Sequence, residues 1–216
     1  MHTIDIISDV SCPWCIIGYR SLLSALQELN AEGSVTVSWR PFELNPGMPA
    51  EGQDRAEHLQ QKYGLPEEQG QASRKNLIDR GVSVDYQFNF ANNGRVYNTF
   101  NAHRLIHWAK EHSLQTELKL ALFDLYFKQA GDLSSNDDLL RCVDLVGLPK
   151  QQAMDILESD RFTNEVRADQ NLSQQQGISS VPAFIFNNKF LVSGGQPKEV
   201  FMNAIAEMDK DLPSTA

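Results

Sequence analysis

The sequence predicts an α/β (α+β) chain in which one mixed four-stranded sheet is interrupted by a large all-α insertion. Three observations lead there. The first forty residues read as strand, amphipathic helix, strand; residues after Gly177 read as two short strands and a helix; and nearly everything between carries helical periodicity. A chain of 216 residues is long enough to bury a substantial core in this arrangement.

Residues 3–8, Thr-Ile-Asp-Ile-Ile-Ser, are rich in β-branched side chains and predict the first strand. From Cys12 onward Ile16, Tyr19, Leu22, Leu23, Leu26 and Leu29 recur at helical spacing, and Gly33 lies beyond the end. Residues 34–40 alternate, with Val35, Val37 and Trp39 on one face, as a second strand. Pro41, Pro46, Gly47 and Pro49 then break regularity. Helices are expected over 53–63, 66–80, 98–112, 115–129, 136–146, 150–158 and 160–176, with Asn136 as an N-cap and Gly147 and Pro149 as a stop. Only residues 82–88, VSVDYQF, suggest an extended segment. Residues 183–186 and 190–193 predict a hairpin around Asn187-Asn188. A last helix follows Pro197 with Val200, Phe201, Ala204, Ile205 and Met208 on one face.

Composition narrows the function. Nineteen basic against twenty-eight acidic residues leave a net charge of −9, which disfavours nucleic acid and anionic membrane as partners. No apolar run approaches the roughly 20 residues that span a bilayer. The N-terminus lacks a basic flank and carries Asp5 and Asp9 where a leader would be apolar, so a cytoplasmic protein is expected. In that reducing compartment a close cysteine pair is catalytic or metal-binding rather than a permanent staple.

That pair is SCPWC, residues 11–15, at the carboxyl end of the first strand where the helix begins. A free thiol has a pKa near 8.5, and the unpaired N–H groups of a helix N-terminus favour the thiolate. Cys12 therefore reads as nucleophile, and Cys15, one turn on, as the thiol that resolves a mixed disulfide. Pro13 suits the first helical turn because it has no N–H to satisfy. Zinc would need further ligands, and neither Cys142 nor any of the five histidines follows at the required spacing, so no metal site is expected. Two inert core cysteines are the remaining alternative. Pro182 stands directly before a strand that should be paired, a position for an edge or a special turn.

SDVSCPWCIIGYRSL, YNTFNAHRLIHWA and GISSVPAFIFNNKFLVSGGQP, in this order, resemble the DsbA family of thioredoxin-like oxidoreductases. The branch is the FrnE-like one related to 2-hydroxychromene-2-carboxylate isomerases. The resemblance implies a discontinuous thioredoxin-like domain, residues 1–48 and 177–216, with a helical insertion domain at 49–176. It implies dithiol–disulfide exchange through Cys12 and Cys15 and a cis bond at Pro182. Across the sheet from the cysteines, the backbone of Val181 would be free to pair with substrate. Asn98, Thr99, His103, Arg104 and the turn 193–196 would lie near the groove. No cofactor is expected beyond glutathione as a co-substrate. The partners would be protein or small-molecule thiols and disulfides, with the chain acting as a monomer or homodimer. The related isomerases and kappa-class transferases usually carry serine in this motif, whereas both cysteines are present here, which favours redox exchange. A glutathione-dependent isomerase or transferase, and a chaperone-like polypeptide-binding module, are the two rival readings.

Five further residues carry alternatives. His103 and His107, four apart, point away from the apolar side of their helix. They read as a polar or groove-lining face, with His103 a candidate to stabilise a substrate thiolate. Cys142 has core spacing with Leu139 and Val146 and reads as an inert thiol. Trp14 reads either as an apolar lip for substrate or as packing against the insertion. Asp9, three before Cys12, reads as a strand end rather than a tuner of the thiol.

Overall fold

The computed structural model describes residues 2–64, 67–90 and 94–210. The first position of the helix expected over 66–80 and the end of the segment 177–216 lie outside these residues. Strand β1 (His2–Ser8) leads into helix α1 (Pro13–Glu28), a 3₁₀ turn (Glu32–Ser34) and strand β2 (Val35–Pro41). The helical block follows: α2 (Arg55–Tyr63), α3 (Glu67–Val82), α4 (Phe100–Ala109), α5 (Gln115–Phe127), α6 (Asn136–Leu145), α7 (Lys150–Leu157) and α8 (Thr163–Gln175). Strands β5 (Ala183–Phe186) and β6 (Phe190–Ser193) and helix α9 (Lys198–Lys210) complete the chain. A two-residue ladder, β3 (Gln53–Asp54) with β4 (Arg95–Val96), is too short to leave a periodic signal.

The main sheet has the order β2-β1-β5-β6, with β1 parallel to β2 and antiparallel to β5, and β5 antiparallel to β6. Asn187 and Asn188 both adopt positive φ, 48° and 56°, which asparagine tolerates and a two-residue hairpin requires. Strand β2 is an edge, and Gln115 covers it: its side chain accepts from Trp39 N at 2.9 Å and donates to Trp39 O at 3.0 Å. That pairing docks the N-terminus of α5 onto the sheet. Helix α9 packs on α1, with Phe201 and Met208 fully buried as the sequence pattern requires. One apolar cluster runs without interruption from Ile4 and Ile6 through Leu22 and Trp39 to Phe123, Leu139 and Ile156.

Two local expectations need correction. Residues 83–85 form a turn rather than an extended segment, Val84 and Asp85 donating back to Gly81 and Val82. Arg20 from α1 holds the turn, donating to Val84 O, Asp85 O and Asp85 Oδ2 at 3.0–3.1 Å. The N-cap of α6 is Ser135 rather than Asn136, its hydroxyl accepting from Asp138 N at 3.4 Å.

Candidate active site

Strand β1 stops at Ser8 because the next residues turn back on themselves: Cys12 N donates to Asp9 O at 3.2 Å. Cys12 is the N-cap of α1 and Pro13 its first helical residue, so the two cysteines stand one turn apart at the helix mouth. Cys15 N donates to Cys12 O at 3.1 Å, closing that first turn. Both thiols are free; Cys12 is 4% exposed and Cys15 wholly buried. Opposite them the Val181–Pro182 peptide bond is cis, and the Cys12 thiol points at Val181 O, 3.7 Å away. Gly194 N donates to Pro182 O at 2.8 Å, tying the turn 193–196 to this loop. A Cβ on Gly195 would stand 3.0 Å from Trp14 O and 3.1 Å from its ring, so the tryptophan lies directly on that turn.

A buried polar cluster supports the motif from below. The Asp9 carboxylate, 1% exposed, accepts from Ser11 N at 3.2 Å and from Leu44 N at 2.7 Å, and His103 Nε2 stands 3.5 Å from its Oδ1. Burial pushes the Asp9 pKa up, but His103, the Leu44 N–H and the Lys119 ammonium together outweigh it and hold the group below its usual range. Lys119, 1% exposed, donates to Ser8 O at 3.3 Å and stands over the rings of Trp39 and Phe123 at 5.3 and 5.1 Å.

These groups divide the two sulfurs. The Cys12 thiol is pushed up by its hydrogen bond to Cys15, by burial and by the negative charges of Cys15 and Asp9. For Cys15 burial also raises the pKa, but the Cys12 thiol, the Lys119 charge, the Ser8 hydroxyl and the Asp9 N–H overcome it, and the net direction is down. The two thiols stand close enough that they titrate together as a pair. The Cys12 side chain caps no N–H of the helix and acts as a donor.

The Cys12 sulfur opens into a pocket of about 370 Å³ between the motif and helices α2 and α3. Trp14, Leu44, Leu77, Phe90 and Tyr126 give it apolar walls, and Arg55, His58 and Arg74 supply its polar side. Arg55 donates to Tyr126 OH at 2.8 Å and lies 5.6 Å over the Phe90 ring. His58 is pushed below its usual pKa by burial and by the charges of Lys62 and Arg55. A larger cleft of about 690 Å³, between α1, the end of α3 and the start of α9, contains neither cysteine. Its cations are already engaged, Arg20 with Val84 and Asp85 and Lys198 with Glu28.

Cys12, Pro13, Trp14 and Val181 line the pocket together, and Cys15 and Pro182 stand buried behind them. Two candidates lie elsewhere. His103 is 2% exposed beneath the motif against Asp9, turned inward by the charge it faces, so it does not line the groove. Asn98 donates to Met48 O at 3.0 Å and accepts from Phe100 N at 2.9 Å, staging the start of α4 outside the pocket. Arg104 is a clamp, donating to the carbonyls of Ile156, Ser159 and Arg161. Asp9 does more than end a strand, since it joins the loops of Ser11 and Leu44 to α4. Sequence reasoning missed Ser8 and Lys119. Their one signal is that Lys119 lies in the run Leu118-Lys119-Leu120-Ala121-Leu122-Phe123, apolar all round, which leaves a lysine no wet face.

The profile of the DSBA-like thioredoxin domain matches residues 3–206. The uncharacterized protein YwbO of Bacillus subtilis is 27% identical over 209 residues, 96% of this chain and 97% of YwbO. A probable DsbA oxidoreductase from Streptomyces coelicolor superposes with a TM-score of 0.92 at 29% identity, over 100% of this chain and 93% of that one. The cytosolic disulfide reductase DsbM from Pseudomonas aeruginosa, solved with GSH, shares the fold at 15% identity with a TM-score of 0.67, over 97% of this chain and 100% of DsbM.

Proposed function

This chain belongs to the DSBA-like thioredoxin domain family, and from that premise we propose that it is a dithiol–disulfide oxidoreductase in which Cys12 attacks and Cys15 resolves. The observation that carries the reading is the placement of the two sulfurs. One faces a pocket, and the other stands one helical turn behind it, wholly buried beside a cation. A substrate disulfide meets only Cys12. The Cys12 thiolate attacks, the Cys12–substrate bond forms, and one substrate thiolate leaves into solvent. Cys15 then loses its own proton, bonds to Cys12 and expels the second substrate thiolate. Two electrons pass from the protein sulfurs to the substrate disulfide, and the same steps in reverse reduce the protein. Half-buried Val181, whose carbonyl lies 3.7 Å from the Cys12 thiol, is the surface against which an extended substrate would pair.

The pocket favours a low-molecular-weight disulfide. Its volume of about 370 Å³ is of small-ligand size, and Arg55 and Arg74 on its walls match carboxylates, as glutathione would present. We place the reaction in the cytosol, as the name of DsbM places that protein. The test is turnover of glutathione disulfide by the wild type, Cys12→Ser and Cys15→Ser, with intact-mass analysis. Turnover should vanish with Cys12→Ser, and Cys15→Ser should accumulate one glutathione adduct on Cys12. Full turnover by Cys15→Ser would refute the dithiol cycle and favour the glutathione-dependent isomerase or transferase chemistry.

A further inference from the structure

Cys12 is only 4% exposed, yet exchange requires a substrate sulfur to touch it. We propose that helices α2 and α3 roof the pocket, held down at its rim by Lys62, and that this roof is a size filter. It admits low-molecular-weight disulfides and shuts out disulfides within a polypeptide chain. The filter rests on the dithiol reading, in which Cys12 meets substrate, and adds to it a positioning residue, Lys62.

His58, Leu59 and Tyr63 of α2 and Ser73, Arg74 and Leu77 of α3 line the pocket into which Cys12 opens. Neither helix has a core of its own. No side chain of α2 is buried. Among the described residues of α3 Gly81 alone is buried, and it has no side chain. A helix pair that buries so little apolar surface gains little from packing, so its position depends on polar contacts at its ends.

The base of the pair is well fixed. Arg55 N donates to Gly94 O and the Arg55 guanidinium to Tyr126 OH, both at 2.8 Å. Gln53 braces α2 from the same end through His58 and Gln61. At the end of α3, Gly81 passes so close to the chain that a Cβ there would stand 2.5 Å from Tyr86 O, and Arg80 donates to Gly195 O at 3.4 Å. The far end of α2 is tied by Lys62. Its ammonium donates to Leu44 O and to Asn45 Oδ1, each at 2.7 Å, and Gly64, with φ 61°, ends the helix two residues on. Leu44 and Asn45 border the pocket, and Leu44 N is itself held by Asp9 at 2.7 Å. Lys62 therefore pins the roof to a loop that the motif's own support keeps in place.

With the roof down, a small disulfide can enter the space of about 370 Å³ and bring a sulfur to Cys12. A disulfide flanked by chain on both sides of each cysteine cannot do so unless α2 and α3 lift. The bonds that oppose lifting are two, from one exposed ammonium, and water can replace them. Their removal opens the site to the larger substrate and leaves the pocket-lining groups as they are.

The experiment compares the wild-type roof with Lys62→Met in two assays. In the first, Cys12 is alkylated, with Cys15 and Cys142 replaced by serine, by N-ethylmaleimide and by a polyethylene-glycol maleimide carrying the same reactive group. N-ethylmaleimide should react at least about 100-fold faster under the wild-type roof, and Lys62→Met should cut that ratio about tenfold. In the second, reduction of glutathione disulfide and of insulin is followed with both motif cysteines present. Lys62→Met should raise kcat/KM for insulin about fivefold or more and leave kcat for glutathione disulfide within about threefold of wild type. A merely structural loss would lower both rates and raise neither. An unchanged ratio in either assay overturns the proposal, as does equal labelling of the wild-type roof by the two maleimides. Alkylation needs no redox cycle, so a size ratio that persists while neither disulfide is turned over would sink the dithiol reading and still support the roof.

Discussion

Replacing Asp9 removes the acceptor that joins three parts of the site. In Asp9→Ala the N–H groups of Ser11 and Leu44, now bonded at 3.2 and 2.7 Å, lose their partner. A buried donor left unsatisfied costs about 1–3 kcal/mol, which puts the pair at about 2–6 kcal/mol. The 3.5 Å contact to His103 is too long to count as a strong hydrogen bond and contributes through charge. Leu44 borders the pocket, so water can reach its N–H in the variant, which places the expectation in the lower half, about 2–4 kcal/mol. Asp9→Asn keeps one acceptor and turns an amide NH₂ toward the other N–H, so it should lose about half as much. The assay is urea unfolding of the reduced protein at pH 7. The pH dependence has a definite sign: the folded pKa of Asp9 lies below its unfolded value of 3.8, so its contribution is present above pH 3.8 and is lost as pH falls through the folded value. The gap between wild type and Asp9→Asn should therefore narrow in that acidic window and stay constant from pH 5 to 7. Asp9→Ala within about 0.5 kcal/mol of wild type, or Asp9→Asn below Asp9→Ala, would refute the reasoning.

Two other outcomes follow from packing. Gly18 lies inside α1, where alanine would ordinarily stabilise by about 1 kcal/mol, but its Cβ would stand 2.8 Å from the Phe184 ring and 3.2 Å from Gly195 Cα. Phe184 is fully buried against Phe201 and cannot yield, so overpacking of about 1–3 kcal/mol should win and Gly18→Ala should lower the urea midpoint; a raised midpoint would contradict this. Cys142 is 4% exposed, and burial pushes its thiol up to about 11. With Cys12 and Cys15 replaced by serine, iodoacetamide at pH 8 should therefore label native Cys142 at least about 100-fold more slowly than in urea, and equal rates would show it accessible.

Much of the architecture is legible from local pattern. Strands β5 and β6 fall where predicted, because β-branched and aromatic residues flank an Asn-Asn pair suited to positive φ. Helices α4 to α8 start and stop within about three residues of expectation, since their apolar stripes are regular. The expectation of an extended segment at 82–88 failed because apolar alternation over a few residues does not reveal a turn that Arg20, some 65 positions away, holds in place. His103 failed for a related reason. A polar residue off the apolar stripe normally faces water, and only the approach of Asp9 makes its burial tolerable.

By itself the amino-acid sequence determined the β-α-β and β-β-α halves, the helical block between them, and two thiols one turn apart at a helix mouth. All of these depend on residues close along the chain, whose periodicity and turn chemistry are local. Tertiary structure alone decided which sulfur faces the pocket and that Ser8, Asp9, His103 and Lys119 meet beneath the pair. Those groups come from β1 and its loop and, more than ninety positions further on, from α4 and α5, and electrostatics in a buried site depends on distance through space, which no spacing along the chain encodes.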